Sequence, residues 1–248
     1  MIGYTALAGC YDQFVGADYE KIVGFIDGML REYVADPQLI CDIGCGSGTV
    51  TFKLIEKGYD LIGIDGSVDM LSEAMQKRLQ IENGEKALFL CQELPDFELY
   101  GTVDAIISTL DTVNYISNEK DLDRLFYWFR NYLNPDGLLI FDVNSYFKYQ
   151  SVLKDFCQIY DGEQEFLAWR SQFDGTNCYH QISVFSQEDG AYHRSDEEQV
   201  QRFYSDELIG KLLKKYNFEL IGVYDDYSDQ KPSSETQRLT YVSKVRKD

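Results

Sequence analysis

Apolar positions along the chain recur with two different periods, and the alternation between them predicts an α/β architecture. Ile22, Phe25, Ile26, Met29 and Leu30 stand at helical spacing within residues 18–33; Asp18 is placed to cap this helix and Pro37 to end it. A short apolar run at 39–43 then leads into alternating glycines at 44, 46 and 48. A helix is predicted over 49–57, closed by Gly58. Residues 59–65 and 138–143 read as further buried strands and 87–91 and 103–108 as strands, separated by helices at 68–81 and 120–133. Asn134-Pro135-Asp136-Gly137 is a turn signal before the last of these strands. A helix over 205–216 and strands over 218–224 and 239–244 complete the pattern. Seven strands alternating with helices imply a mostly parallel sheet covered by helices on both faces, with ligand sites at the strand carboxyl ends.

Between the fifth strand and the 205–216 helix the pattern changes. Three Asp-Gly pairs, Asp161-Gly162, Asp174-Gly175 and Asp189-Gly190, separate segments rich in Phe, Tyr, Trp, Ile and Val. Asp-Gly suits type I′ hairpins, whose two central residues take positive φ, so an antiparallel meander of about four strands is predicted. The expected organisation is one domain made of residues 1–145 and 205–248, with residues 146–204 inserted as an antiparallel β lid.

Composition narrows the setting. Hydrophobic residues are 44% and charged residues 26%, an ordinary globular mix, and no apolar run is long enough to span a bilayer. The first residues lack the basic start and apolar stretch of a signal peptide, so a cytoplasmic location is expected. The net charge is −19, spread along the chain, a field that disfavours nucleic-acid partners. Of the six cysteines none forms C-x-x-C, and Cys41 and Cys45 have no neighbouring histidine. Reduced thiols are expected, and no metal site.

The segment carrying chemistry is Asp42-Ile43-Gly44-Cys45-Gly46-Ser47-Gly48, between a predicted strand and a predicted helix. Glycines there let the backbone approach a ligand closely, and the following helix N-terminus offers unpaired amide donors. Counting from Gly44, the sixth position is Thr49, so the dinucleotide pattern G-x-G-x-x-G/A fails; no Gly-Lys is present for a P-loop. Asp65 ends the second strand, where a carboxylate can accept both hydroxyls of a ribose.

The pattern acidic-x-G-x-G-x-G resembles motif I of the class I methyltransferases that use S-adenosylmethionine (SAM). Asp65-Gly66-Ser67-Val68-Asp69-Met70-Leu71 resembles that family's Asp-x-Ser-x-x-Met-Leu segment, and Cys91-Gln92-Glu93-Leu94 stands where the family carries Gln-Asp-Met near the adenine. Thr109-Leu110-Asp111-Thr112-Val113-Asn114-Tyr115, Tyr11-Asp12 and Phe141-Asp142-Val143-Asn144-Ser145-Tyr146 resemble a small-molecule branch similar to glycine and amino-sugar N-methyltransferases, which also has an antiparallel insertion after strand five. The resemblance implies a Rossmann-like fold and SAM as cofactor. It implies a cofactor site built from Asp42, Gly44, Cys45, Gly46, Gly48, Asp65, Gly66, Ser67, Met70, Gln92, Glu93, Leu94 and Leu110.

Tyr11, Asn114, Asn144 and Tyr146, near strand carboxyl ends, are the candidates for placing an acceptor. Arg202 and Arg238 suit planar recognition of a carboxylate or phosphate, with a surface ion pair as the alternative for each. His180 and His193 are expected on a solvated strand face rather than in catalysis. Gln199 stands where relatives often have a histidine. The expected activity is N- or O-methylation of a small molecule by a monomer or homodimer. The alternatives are an RNA or protein methyltransferase and a non-catalytic SAM-binding protein.

Overall fold

The computed structural model describes residues 16–162, 165–188 and 190–247. Helix α1 (Tyr19–Tyr33) begins at Asp18, whose carboxylate accepts from the Lys21 amide at 3.0 Å as the sequence predicts. Strand β1 (Leu39–Ile43), helix α2 (Thr49–Glu56), strand β2 (Asp60–Asp65), helix α3 (Val68–Arg78) and strand β3 (Ala87–Cys91) form the first half. Strand β4 (Val103–Ser108), a 3₁₀ turn (Thr112–Tyr115), helix α4 (Glu119–Tyr132) and strand β5 (Leu133–Asn144) continue it. After the insertion come helix α5 (Asp206–Lys215) and strands β10 (Phe218–Asp225) and β11 (Arg238–Val245).

The sheet order is β10-β11-β5-β4-β1-β2-β3, with β11 antiparallel to both its neighbours. Alternate strand residues enter two cores. Ile43, Ile106 and Phe141 pack with α4 and α5 through Phe126, Phe129 and Leu212. Ile40, Ile107 and Ile140 pack with α1 and α2 through Ile26, Leu30 and Leu54. This is the Rossmann-like sheet with helices on both faces. The predicted turn at 134–137 is instead a bulge within β5. Leu133 already pairs with Val103 and Leu138 with Ala105, and the intervening residues loop out with Asp136 at φ +62°.

The insertion opens with a single π-helical turn, Lys148–Leu153. A separate antiparallel sheet follows, β6 (Asp155–Asp161), β7 (Glu165–Phe173), β8 (Asn177–Glu188) and β9 (Ala191–Arg202), in that spatial order. The expected type I′ geometry does not occur at Asp174-Gly175. Only Gly175 has positive φ (+101°), because the Asp174 carboxylate itself accepts from the Thr176 and Asn177 amides at 2.8 and 2.7 Å. An Asx-type turn of this kind needs one left-handed residue, not two.

One expectation about a side chain is corrected. His180 is buried, 3% exposed, and accepts from the Trp169 indole N–H on Nδ1 at 3.2 Å. Burial pushes its imidazolium pKa down and keeps it neutral. His193, by contrast, is exposed. Among the described cysteines all are free thiols, yet Cys91 and Cys157 are exposed because β3 and β6 are edge strands of their sheets. No helix of the described residues is long and apolar enough to cross a membrane.

Candidate functional site

The turn after β1 folds back onto β2, the Gly44 and Cys45 amides both donating to the Ile64 carbonyl at 2.7 and 3.1 Å. This route is open only to glycine at position 44. Its φ is +73°, and a Cβ would stand 2.3 Å from Thr112 Cγ2. Gly46 differs: its φ is +54°, but a Cβ would meet nothing within 4 Å. The backbone at Gly46 therefore faces open space.

That space is a cleft open to solvent at its mouth. Gly44, Cys45, Gly46 and Asp65 line one side. Gly66, Ser67 and Met70 continue the wall from the start of α3, and Leu94 and Leu110 give it apolar flanks. Asp65 joins two loops, its carboxylate accepting from the Gly46 amide at 2.9 Å and from the Ser67 amide at 2.8 Å. Burial raises its pKa while those amides pull the other way, leaving a carboxylate held at the rim by main-chain donors. From α3, Lys77 Nζ donates to Ser47 Oγ and Thr49 Oγ1 at 2.9 and 3.1 Å, tying that helix across the glycine turn.

Asp42, Gly48, Gln92 and Glu93 do not line the cleft. Asp42 lies beneath the glycine turn, wholly buried, with Oδ2 accepting from Thr51 Oγ1 at 2.6 Å. Its Oδ1 has no hydrogen-bond partner among the described residues. Burial, reinforced by the charge of Asp65 and opposed by the Thr51 hydroxyl, pushes its pKa up to about 7. Gly48 is the left-handed N-cap of α2, and Gln92 brackets the loop to Glu98 through both its amide atoms. Burial pushes the Cys45 thiol well above its ordinary range, so its sulfur is an inert wall rather than a nucleophile. Tyr19, Thr109, Thr112 and Tyr115 also line the cleft and were missed from sequence. The last three belong to the same loop as Leu110; nothing in the sequence places the start of α1 beside it.

The donor set fits SAM: a rim carboxylate for a diol, main-chain and hydroxyl donors at the glycine turn, and apolar flanks for a flat ring. A family model described as a methyltransferase domain matches residues 40–137. A Bacillus subtilis (strain 168) protein named as a methyltransferase, YqeM, is 32% identical, the match covering 98% of this chain and 98% of that protein. A solved structure described as a SAM-dependent methyltransferase from Clostridium acetobutylicum ATCC 824 is 33% identical, with a TM-score of 0.89 over 97% of this chain and 98% of that one. The chain belongs to the class I SAM-dependent methyltransferases. A glycine/sarcosine N-methyltransferase of Halorhodospira halochloris is 32% identical over 113 residues, 43% of this chain and 40% of that protein.

The methyltransferase has a second cleft beside the first, and Leu110 lines both. The start of α1, Lys148, the Asp226-Tyr227 turn and Arg238 form the second cleft's walls. Four residues here are left-handed without being glycine: Leu110, Asp111, Asp226 and Tyr227, with φ between +43° and +57°. Such backbone costs about 1–3 kcal/mol per residue and persists only when held from outside. Arg238 is the holder. Its guanidinium stands 3.0 Å from Asp111, 2.8 Å from the buried Asp142 and 3.7 Å from Asp226, and the Asp111 amide donates to Asp142 at 2.7 Å.

The remaining acceptor candidates are distributed unevenly. Asn114 is fully buried; its Nδ2 donates to the Arg202 carbonyl at 2.9 Å and its Oδ1 accepts from the Asn144 amide at 2.8 Å. Asn144 donates to Gln201 at 3.0 Å and accepts from Lys148 at 2.8 Å. Tyr146 is half exposed and packs edge-on against Phe173 and Phe203, away from either cleft. Arg202 stacks over Tyr204 and reaches Glu119 at 3.4 Å, in a separate surface depression. Tyr11 lies outside the described residues. Gln199 accepts from the Tyr115 hydroxyl at 2.7 Å, and Gln201 donates to Asp111, so β9 touches a residue of the first cleft and the aspartate that Arg238 holds.

Asp65→Ala is expected to weaken SAM binding by roughly 1–3 kcal/mol, since two ribose hydroxyls lose a charged acceptor. Because the same carboxylate bridges Gly46 and Ser67, some thermal stability should go with it. Calorimetric titration of the folded variant checks this; unchanged affinity would remove Asp65 from the site.

Proposed function

We propose that the chain transfers the methyl group of SAM to an amine or hydroxyl of a small molecule held in the second cleft, under a lid formed by residues 146–204. Residues 1–145 and 205–248 then form the cofactor-binding unit. The observation carrying this reading is that Leu110 lines both clefts. Bound in the first cleft, SAM supplies a methyl group on an already activated sulfur, so no covalent nucleophile is required. The protein's part is to orient. Holding acceptor and methyl in line contributes about 7–11 kcal/mol at best.

Asp65 and the glycine turn hold one partner, and the Leu110-Asp111 turn, clamped by Arg238, shapes the wall where the two meet. Asn114 fixes the end of β5 to the end of β9, and the Tyr115–Gln199 and Asp111–Gln201 bonds draw the lid onto the site. A cover anchored in this way excludes water and positions an acceptor. The second cleft sets the carboxylates of Asp18, Asp225, Asp226 and Glu235 beside Lys21, Lys148 and Arg238, not the basic groove that a nucleic-acid backbone needs. The free thiols of the described residues suit a reducing, cytoplasmic setting.

The test is to incubate the protein with methyl-labelled SAM and fractionated cell extract. Label in low-molecular-mass metabolites is expected. Label only in RNA or protein, or none from a protein that binds the demethylated cofactor, would overturn the reading.

A further inference from the structure

Lys148 places an amine in the second cleft at the start of the insertion. Its backbone is fixed, since the Lys148 amide donates to the buried Ser145 hydroxyl at 3.1 Å and the next residue, Tyr149, is wholly buried. A π turn begins here, a geometry that recurs at functional positions. Nζ donates to Asn144 Oδ1 at 2.8 Å, and Asn144 is itself locked to Gln201. An ammonium carries three donors; the other two have no partner among the described residues, and no described carboxylate lies within ion-pair distance.

The other cations of the cleft are taken. Arg238 is committed to Asp111 and Asp142, and Lys21 pairs with Asp226 at 2.9 Å. Burial pushes the Lys148 pKa down, with the carboxylates of Asp111, Asp142 and Asp226 opposing from beyond contact range and the charge of Arg238 adding to the fall. A preordered cation with unused donors at a ligand-sized opening is the recognition element for an oxyanion.

We propose that the acceptor carries an oxyanion, a carboxylate or a phosphate, and that Lys148 binds it. This rests on the second cleft being the acceptor site. The oxyanion would take the two unused Nζ donors, leaving the acceptor's nucleophilic end to reach past Leu110 toward the first cleft.

The experiment uses the full chain and labelled SAM with metabolite extract passed over an anion exchanger at alkaline pH, where amines are neutral and oxyanions are retained. The activity is expected in the retained fraction. Phosphatase treatment of that fraction separates the sources: loss of acceptor activity marks a phosphate monoester, survival a carboxylate. Lys148→Met should raise KM for the acceptor roughly 10- to 100-fold with SAM affinity unchanged, and Lys148→Arg should restore part of the loss. Against the same fraction with its oxyanion masked as an amide or ester, wild type and Lys148→Met should become equivalent. Activity in the unretained fraction, with small-molecule methylation intact, overturns the oxyanion alone. So does a Lys148→Met variant that loses kcat equally on free and masked acceptor, or that loses SAM affinity, since either marks a structural or proton-transfer role. No labelled small molecule at all overturns both this inference and the function it rests on.

Discussion

Arg238→Met is expected to destabilise the fold by roughly 3–5 kcal/mol, the cost of stripping a buried ion-pair network of its cation. Asp142 is wholly buried, and its carboxyl is already pushed above the ordinary range by burial, with Arg238 pulling it back and Asp111 adding to the rise. Without the guanidinium, that upward push is opposed mainly by the Asp111 amide. The protonation sign follows directly. In the variant the folded-state pKa of Asp142 rises further above its unfolded value, so the deficit relative to wild type is full above that raised pKa. It shrinks as pH falls through it and the carboxyl takes up a proton. Arg238→Lys should recover only part of the loss, because one ammonium cannot reproduce a fork that contacts Asp111 and Asp142 together. Urea unfolding at neutral and acidic pH checks this. A variant unfolding at the wild-type midpoint, or a deficit that grows on acidification, would contradict the network described here.

The second large effect separates two glycines that stand two positions apart in the chain but differ in their surroundings. Gly44→Ala should be destabilising by about 2–5 kcal/mol, combining left-handed strain with forced displacement of Thr112. SAM binding should fall at least 100-fold, because Thr112 lines the cofactor cleft. Gly46→Ala meets no atom of the described residues within 4 Å and should cost only the left-handed term, about 1–2 kcal/mol. Yet its methyl group projects into the space assigned to SAM, so affinity should fall at least 10-fold in a protein that remains folded. Thermal melts with and without the demethylated cofactor distinguish the two. A Gly46→Ala protein that binds SAM like wild type would show that the glycine turn is not the cradle.

Much of the architecture is legible in the chain itself because helical and strand periods are local. The caps at Asp18 and Ser205, the apolar runs of β1 to β5 and the glycine turn between β1 and α2 all arise from residues within a few positions of one another. The insertion is equally visible, though its turn chemistry is not. Whether Asp174 spends its carboxylate on two amides or adopts positive φ is decided by the strand pairing on either side.

Side-chain roles near the site depended on strand order, which no local pattern contains. Arg238 meets Asp111 across 127 positions and Asn114 meets Arg202 across 88, only because β11 lies beside β5 and β9 returns over the turn after β4. Residues that look like substrate contacts by their chemistry, Asn114 and Asn144, find buried main-chain and amide partners there and become framework. His180, expected on a solvated strand face, is covered because the inner face of the meander packs rather than faces water. Lys148 carries no motif at all; its place in a cleft comes from a π turn between β5 and the meander. The sequence by itself therefore determined the sheet, the cofactor turn and the insertion, since short-range periodicity and backbone sterics suffice for them. The second cleft, its arginine clamp and the place of Lys148 in it were decided only by the tertiary structure, because each depends on groups that folding brings together from distant parts of the chain.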